Sequence, residues 1–291
     1  MRRVIAVLAC HNRKAQTVAC LEACFASARG HADASAVVVD DGSTDGTAAA
    51  LTAAFPTGVE VLRGDGSLFW NGGMRRAMES AMAADPDFIL WLNDDTTISP
   101  DALTVLLGTH DERSAAGDGP ATIVVAAIAD PDTGRLTYSG MRSQRVSWRP
   151  LALDLVVPQE GPPQRCDTMN GNCVLISRAA YRRLGNLSDR FVHGLGDLDY
   201  GLRASAQRVP VWLAPGVLGH CRRNAARGSF LDQTLPLGKR WQIITGPKGL
   251  PPRAWALYAQ RYGGTLWPVH WAWPYVKVLL RARSAREKAL S

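Results

Sequence analysis

Two aspartates, Asp94 and Asp95, follow the apolar run Phe88–Leu92 with only Asn93 between. Adjacent carboxylates repel unless positive charge lies near them. A divalent cation bridging to a diphosphate answers that need, because magnesium and manganese favour one or two carboxylates plus substrate phosphate oxygens over an all-protein cage. Such a pair is a weak signal taken alone, so other acids matter. In VVVDDGSTDGT (Val37–Thr47) an apolar run ends abruptly in Asp40 and Asp41. Ser43, Thr44 or Asp45 can cap the helix that follows, which leaves Asp40 to accept hydrogen bonds from a ribose hydroxyl or a base N–H. GDLDYGLRA holds Asp197 and Asp199. Asp197 can serve as an N-cap, and Asp199 can pair with Arg203 one helical turn on. The glycines of GDGSLFWNGGM (Gly64–Met74) suit a close backbone approach to a ligand, but their spacing fits neither a P-loop nor a dinucleotide fingerprint. Phe69 and Trp70 within it either line a pocket or belong to the core.

The elements that must position these residues alternate in type. Val4–Ala9, Ala36–Val39, Val59–Leu62 and Phe88–Leu92 read as strands, with helices over Lys14–Ala28, Gly46–Phe55 and Gly73–Ala84 between them. Strands alternating with crossover helices predict a mostly parallel sheet covered on both faces. Ligands of such sheets sit beyond the carboxyl ends of the strands. Those ends carry Cys10-His11-Asn12-Arg13, Asp40-Asp41-Gly42-Ser43, Arg63-Gly64-Asp65-Gly66 and Asn93-Asp94-Asp95, which would meet along one edge. Ser99-Pro100-Asp101 opens a further helix. Thr109–Ala121 reads as a surface loop, Ile123–Ile128 and Cys173–Ile176 as strands, and Arg178–Leu184 as a short helix. Arg142–Arg165, rich in Pro and Arg, reads as a hairpin or a loop on the substrate side.

VIAVLACHNR, VVVDDGSTDGT and LNDDT at these spacings resemble the family 2 glycosyltransferases, of GT-A fold. Asn170-Gly171-Asn172 followed by CVLISR, then HGLGDLDYGLRA, then His220, extend the resemblance over about Val4 to His220. It implies a Rossmann-like α/β sheet with helices on both faces, and inverting transfer of a hexosyl or deoxyhexosyl group from a nucleoside-diphosphate sugar to an acceptor hydroxyl. By the same resemblance, Cys10, His11 and Asn12 would lie against the nucleoside, Asp40 would contact base or ribose, and Asp65 would lie beside the base. Asp94 would contact ribose or diphosphate, Asp95 would bind Mn²⁺ or Mg²⁺, and His220 would be a second metal ligand or a structural histidine. Asp197 matches the catalytic base. The family usually has an acidic pair there, and Gly196 replaces its first member. Arg222 and Arg223 either add charge to the diphosphate or are solvated. The resemblance also implies bacterial surface-polysaccharide or glycolipid assembly, with a saccharide or lipid-linked acceptor.

The chain has 291 residues, 46% of them hydrophobic and 20% charged, ample for one large domain with an appendage. Its net charge of +7 is unevenly placed: residues 231–291 hold ten Lys/Arg against two Asp/Glu, so the other 230 residues are about neutral. We therefore expect a transferase domain over 1–230 and a basic, helical C-terminal segment over 231–291. That segment carries five of the nine tryptophans, Trp241, Trp255, Trp267, Trp271 and Trp273. Two uses are open to it: lying in a membrane interface, or packing its aromatics on the main domain. No secretory signal is visible, and Pro268, His270 and Pro274 interrupt the apolar stretch that a spanning helix would need. A cytoplasmic protein, peripheral on the inner face of the membrane, is the expectation. The six cysteines lack paired zinc spacing and read as small core residues. A sugar nucleotidyltransferase is the first rival reading, but the loop HNRKAQT lacks the glycines such enzymes have. A non-catalytic binder is the second. Charge confined to a tail, without a recognition motif, argues against nucleic acid as a partner.

Overall fold

The computed structural model describes residues 1–144, 150–223 and 227–290, with side chains up to residue 280. Each of the first four apolar runs forms a strand that stops where polar residues begin. These are β1 (Arg2–Cys10), β2 (Ala32–Asp40), β3 (Val59–Arg63) and β4 (Phe88–Leu92), joined by α1 (Lys14–Ala28), α2 (Thr47–Ala54) and α3 (Phe69–Ala83). The chain continues through β5 (Thr97–Ile98), α4 (Ala102–Arg113), β6 (Ile123–Ala129), β7 (Leu136–Tyr138), β8 (Gly140–Ser143), β9 (Leu153–Leu155), β10 (Gln164–Cys166) and β11 (Thr168–Met169). It then forms β12 (Cys173–Ser177), α5 (Arg178–Leu184), α6 (Gly196–Ala206), β13 (Val211–His220), α7 (Leu237–Thr245), α8 (Pro252–Tyr262) and α9 (Trp267–Leu290).

The main sheet runs in the order β10-β13-β6-β12-β4-β1-β2-β3. β4, β1, β2 and β3 are mutually parallel, so their carboxyl ends share one edge, as the sequence predicts. β12 enters antiparallel between β4 and β6, and β13 is parallel to β6. A small sheet, β11-β8-β9, stands apart from the main one.

Alternation along the strands divides the core in two. Val4, Ala6 and Leu8 of β1 and Leu90 and Leu92 of β4 pack with Cys20, Leu21 and Cys24 of α1 and Leu103 and Leu106 of α4. On the other face Ile5, Val7, Ile89 and Trp91 meet Met74, Ala77 and Met78 of α3, together with Tyr181 and Tyr200. All six cysteines are free and buried, which agrees with their reading as core residues.

One sequence expectation changes. The loop expected over Thr109–Ala121 begins later, because α4 runs on to Arg113 and a further turn covers Ser114–Asp118. Its buried face, Leu103, Leu106 and Leu107, carries the helix past the polar composition that marked a loop. Arg142–Arg165 supplies β9 and parts of β8 and β10, with 145–149 outside the described residues.

The C-terminal helices build a third apolar cluster of Ile244, Ala254, Trp255, Tyr258, Tyr275 and Val278, which reaches across to Phe191, Leu195, Leu198 and Leu202 around α6. The docking has a polar centre. The fully buried Asp199 carboxylate is paired with Arg203 of its own helix (3.0 Å) and Arg261 of α8 (2.7 Å), and accepts a hydrogen bond from the Tyr262 hydroxyl (2.8 Å). Among the described residues no helix is long and apolar enough to cross a membrane.

Candidate active site

The four polar strand ends do meet, and they form the floor of a cavity of about 380 Å³. Its lining includes Cys10, His11, Arg13, Asp41, Asn93, Asp94 and Asp95 from the parallel edge, and Asn170, Gly171, Asn172, His193, Asp197 and Lys248 from later in the chain.

At the ends of β1 and β2 the loops are tied to one another. His11 Nδ1 donates to the Asp41 carbonyl (2.7 Å), which leaves Nε2 to accept from Asn12 Nδ2 (3.1 Å). Asn12 N donates to Ser43 Oγ (2.8 Å), and Thr44 N donates to Asn12 Oδ1 (2.8 Å). The Asp41 carboxylate gathers the main-chain N–H groups of Gly66 (2.8 Å) and Phe69 (2.9 Å), and so fixes the Gly-rich loop. Asp40 accepts from Ser43 N through Oδ1 (3.0 Å), while its Oδ2 is buried without a partner among the described residues. A buried, unsatisfied carboxylate oxygen is costly and needs a use. Asp65 is exposed and occupied by Ser67, whose N and Oγ donate to Oδ1 at 2.9 and 2.6 Å.

Arg13 lies between the paired acids. Its Nη1 donates to Asp94 Oδ1 (3.1 Å) and makes a closer ion pair with Asp95. The positive charge that adjacent carboxylates require is thus supplied here by the chain itself. Burial nevertheless pushes the Asp94 pKa up to about 6, against the pull of Arg13. Cys221 completes the group. Burial and the nearby Asp95 carboxylate push its thiol up to about 12, so Sγ stays protonated and donates to Asp95 Oδ1 (3.4 Å).

Asp197 enters from the first turn of α6. Oδ2 accepts from Gly171 N (3.0 Å) and Oδ1 from Leu198 N (2.9 Å). Burial raises its pKa above the ordinary 3.8, although both N–H groups pull it down. Gly196 before it has no room for a side chain, since a Cβ there would lie 1.8 Å from Asn71 Oδ1. Asn71 Nδ2 in turn donates to the Ser188 (2.9 Å) and Phe191 (2.7 Å) carbonyls and holds the approach to α6 in place. Gly171 is equally crowded, with Trp70 2.6 Å from where its Cβ would be. Of five non-glycine residues with positive φ among the described residues, Asn12, Phe69 and Leu195 border this site. Strain concentrated there is held by the surrounding hydrogen bonds.

Residues 5–178 match the sequence profile of Glycosyl transferase family 2. The chain belongs to that family. No curated relative is similar to it in sequence. Among solved structures, the mannosyltransferase PcManGT from Pyrobaculum calidifontis, in complex with GDP-Man and Mn²⁺, superposes with a TM-score of 0.56 at 16% identity, over 99% of this chain and 75% of that one. TarS (1–349) of S. aureus superposes with a TM-score of 0.54 at 12% identity, over 89% of this chain, both with UDP (70% of that chain) and with UDP-GlcNAc (71%). The fold of this glycosyltransferase is GT-A.

Of the site residues expected from the sequence, Cys10, His11, Asp94, Asp95 and Asp197 line the glycosyltransferase's cavity. Cys10 does so with its thiol turned into the core. Asn12 and Asp40 brace the floor from behind, and Asp65 stands exposed beside it. His220 is exposed at the end of β13 and is not among the lining residues; its neighbour Cys221 is the one turned to Asp95. Arg222 is engaged by Asp132 (2.7 Å) on the surface. Phe69 and Trp70 both line the cavity, and Trp70 Nε1 donates to Asn93 Oδ1 (2.7 Å). The sequence reading assigned no role to Arg13, Asp41, Asn71, His193 or Lys248. Arg13 alone had a usable signal, a cation on the strand end facing an acid pair.

Among the described residues no three His, Cys, Asp or Glu side chains gather as a ready metal cage. The glycosyltransferase offers instead a carboxylate pair with the Asp95 side chain 28% exposed. That set fits magnesium or manganese, which complete their coordination with phosphate oxygens and water. The Arg13 guanidinium, seated between the acids, marks where positive charge is wanted.

Proposed function

We propose that the chain is an inverting glycosyltransferase that moves a hexosyl or deoxyhexosyl group from a nucleoside-diphosphate sugar to an acceptor hydroxyl in one displacement. The observation that carries this reading is the Asp197 carboxylate, fixed by two N–H groups in the same cavity as Asp94 and Asp95. Asp197 takes the acceptor's hydroxyl proton as that oxygen attacks the anomeric carbon. The bond from that carbon to the diphosphate breaks, and its electron pair leaves with the nucleotide. Asp197 is the lining carboxylate that neither Arg13 nor the Gly-rich loop engages. One such base and no protein nucleophile make the displacement single, so the configuration inverts.

Asp40, with Oδ2 unpartnered, and the His11–Asn12 turn are the groups we assign to the nucleoside. Asp65 would reach the base from the exposed rim of its loop, and Asp94 the ribose or diphosphate. Asp95 would hold Mn²⁺ or Mg²⁺, which when bound supplies charge to the leaving diphosphate. His220 would join it only if the end of β13 moved. The complexes of PcManGT with GDP-Man and Mn²⁺ and of TarS with UDP-GlcNAc support a nucleotide sugar and a cation as ligands.

We assign residues 1–230 to the nucleotide-sugar transferase domain and 231–291 to a docked segment with a surface role in bacterial polysaccharide or glycolipid assembly. Val269, Trp273, Val276 and Leu280 are all exposed at spacings of three and four, one stripe along α9, with Leu266 exposed just before the helix and Lys277 over the Trp273 ring. An apolar stripe flanked by cations suits the surface of an anionic membrane holding a lipid-linked acceptor.

A panel of nucleotide sugars with Mn²⁺ or Mg²⁺ should raise the melting temperature for one donor class. The product of that donor should carry the opposite anomeric configuration by NMR; retained configuration would sink the single displacement. Val269→Glu with Trp273→Glu should abolish cosedimentation with anionic liposomes, and unchanged sedimentation removes the membrane role.

A further inference from the structure

We propose that Lys248, carried on the loop between α7 and α8, binds phosphoryl charge in the active-site cavity, so that the C-terminal segment supplies part of the catalytic site. This rests on reading the cavity as a nucleotide-sugar site. Lys248 lines that cavity together with His193 and Asp197. The other lining cation, Arg13, is already engaged by Asp94 and Asp95. No carboxylate among the described residues engages Lys248. It is therefore the cation left available to an incoming anion.

Its backbone is held firmly. Leu250 N donates to the Ile244 carbonyl (2.6 Å), Gly249 N donates to the Gly246 carbonyl (3.0 Å), and the Tyr275 hydroxyl donates to the Leu250 carbonyl (2.6 Å). A Cβ at Gly249 would meet the Ile243 carbonyl oxygen at 2.2 Å, so the loop lies flat against the end of α7. The same segment is fastened to α6 through Asp199, Arg261 and Tyr262, two residues beyond Asp197. His193 senses the arrangement: burial first, and then the charges of Lys248 and Arg13, lower its pKa below the ordinary 6.5. Both cations line the cavity with this histidine, whose Nδ1 has no partner among the described residues.

When the bond between the anomeric carbon and the diphosphate breaks, its electron pair settles on a phosphate oxygen. The Lys248 ammonium can donate a charge-assisted hydrogen bond to that oxygen. The same chemistry would serve a phosphate on a lipid-linked acceptor, and the two sources are separable by experiment.

In the full-length protein, Lys248→Ala and Lys248→Arg are compared with wild type for binding of UDP, GDP and dTDP with Mn²⁺, the matching nucleosides, and farnesyl phosphate against farnesol. If the donor diphosphate is the partner, Lys248→Ala weakens a nucleoside diphosphate about 10-fold and leaves its nucleoside unchanged. If an acceptor phosphate is the partner, farnesyl phosphate alone weakens. Lys248→Arg should bind within about 3-fold of wild type in either case, and equal melting temperatures show that the variants fold alike. Wild-type affinity of Lys248→Ala for every phosphorylated probe overturns the inference while leaving the nucleotide-sugar reading intact. A wild-type protein that binds none of them overturns both.

Discussion

The two ends of the central sheet carry hollows of similar size and opposite meaning. At the amino end, about 410 Å³ is lined by Arg2, Asp87, His110, Arg178 and Arg182 among others. Each charged side chain there has a protein partner: Arg178 pairs with Asp87 (3.0 Å), Arg182 with Asp85 (2.7 Å) and Arg2 with Asp111 (2.7 Å), and His110 Nδ1 meets Thr122 Oγ1 at 2.6 Å. At the carboxyl end the cavity is no larger, yet Asp40 Oδ2 and His193 Nδ1 lack partners among the described residues, and Asp197 and Lys248 face the space. Volume does not distinguish a site; unspent polar capacity does.

The largest effect that separates the two ends should come from Asp197→Asn. It should lower kcat by about 10²–10⁴-fold with donor affinity and melting temperature little changed, and measurable turnover near wild type would remove Asp197 as the base. A pH series sharpens the same point. Because burial raises the Asp197 pKa, the ionised base should appear only above the ordinary carboxylate value of 3.8. The acid limb of kcat/KM should lie correspondingly high, and a limb at or below 3.8 contradicts the assignment.

Next in size is the fastening of the C-terminal segment. Asp199→Ala leaves Arg203 and Arg261 without their shared, fully buried partner and should cost about 2–3 kcal/mol of stability in denaturant unfolding. An unchanged midpoint would mean that the segment is held by its apolar cluster alone.

Asp94 gives a smaller, pH-dependent effect. Its folded pKa of about 6 lies above the ordinary 3.8, so folding takes up a proton between those values. The stability this group contributes is fully present below 3.8 and lost as pH rises through about 6. Metal-free protein should therefore lose melting temperature across that window, and Asp94→Asn should flatten the dependence. The smallest effect belongs to the amino end. Arg178→Ala removes partly exposed ion pairs and should leave kcat and donor affinity at wild-type values. A loss of turnover would break the contrast between the two ends.

Much of the cavity's strand edge was legible in the sequence. Each of the first four strands announced itself by an apolar run that stops at polar residues, and a parallel sheet brings such ends together. The helix Lys14–Ala28 and the pairing of Asp199 with Arg203 also followed from spacing between near neighbours. The extent of α4 was misjudged because tertiary burial of Leu106 and Leu107 outweighed local polarity.

The sequence by itself determined the four parallel strands and the edge where their polar ends collect, while Asp197 was named only through the resemblance to the family. The tertiary structure decided what stands around them. Arg13 reaches Asp94 and Asp95, 81 and 82 residues away, and Asn71 leaves space at position 196 only for glycine. Lys248 comes to the cavity on a segment that the sequence left open between a membrane interface and packing on the main domain. Periodicity and turn chemistry are encoded within a few residues and can be read locally. The meeting of positions 13, 71, 197 and 248 depends on how whole helices pack, and no short window of sequence contains it.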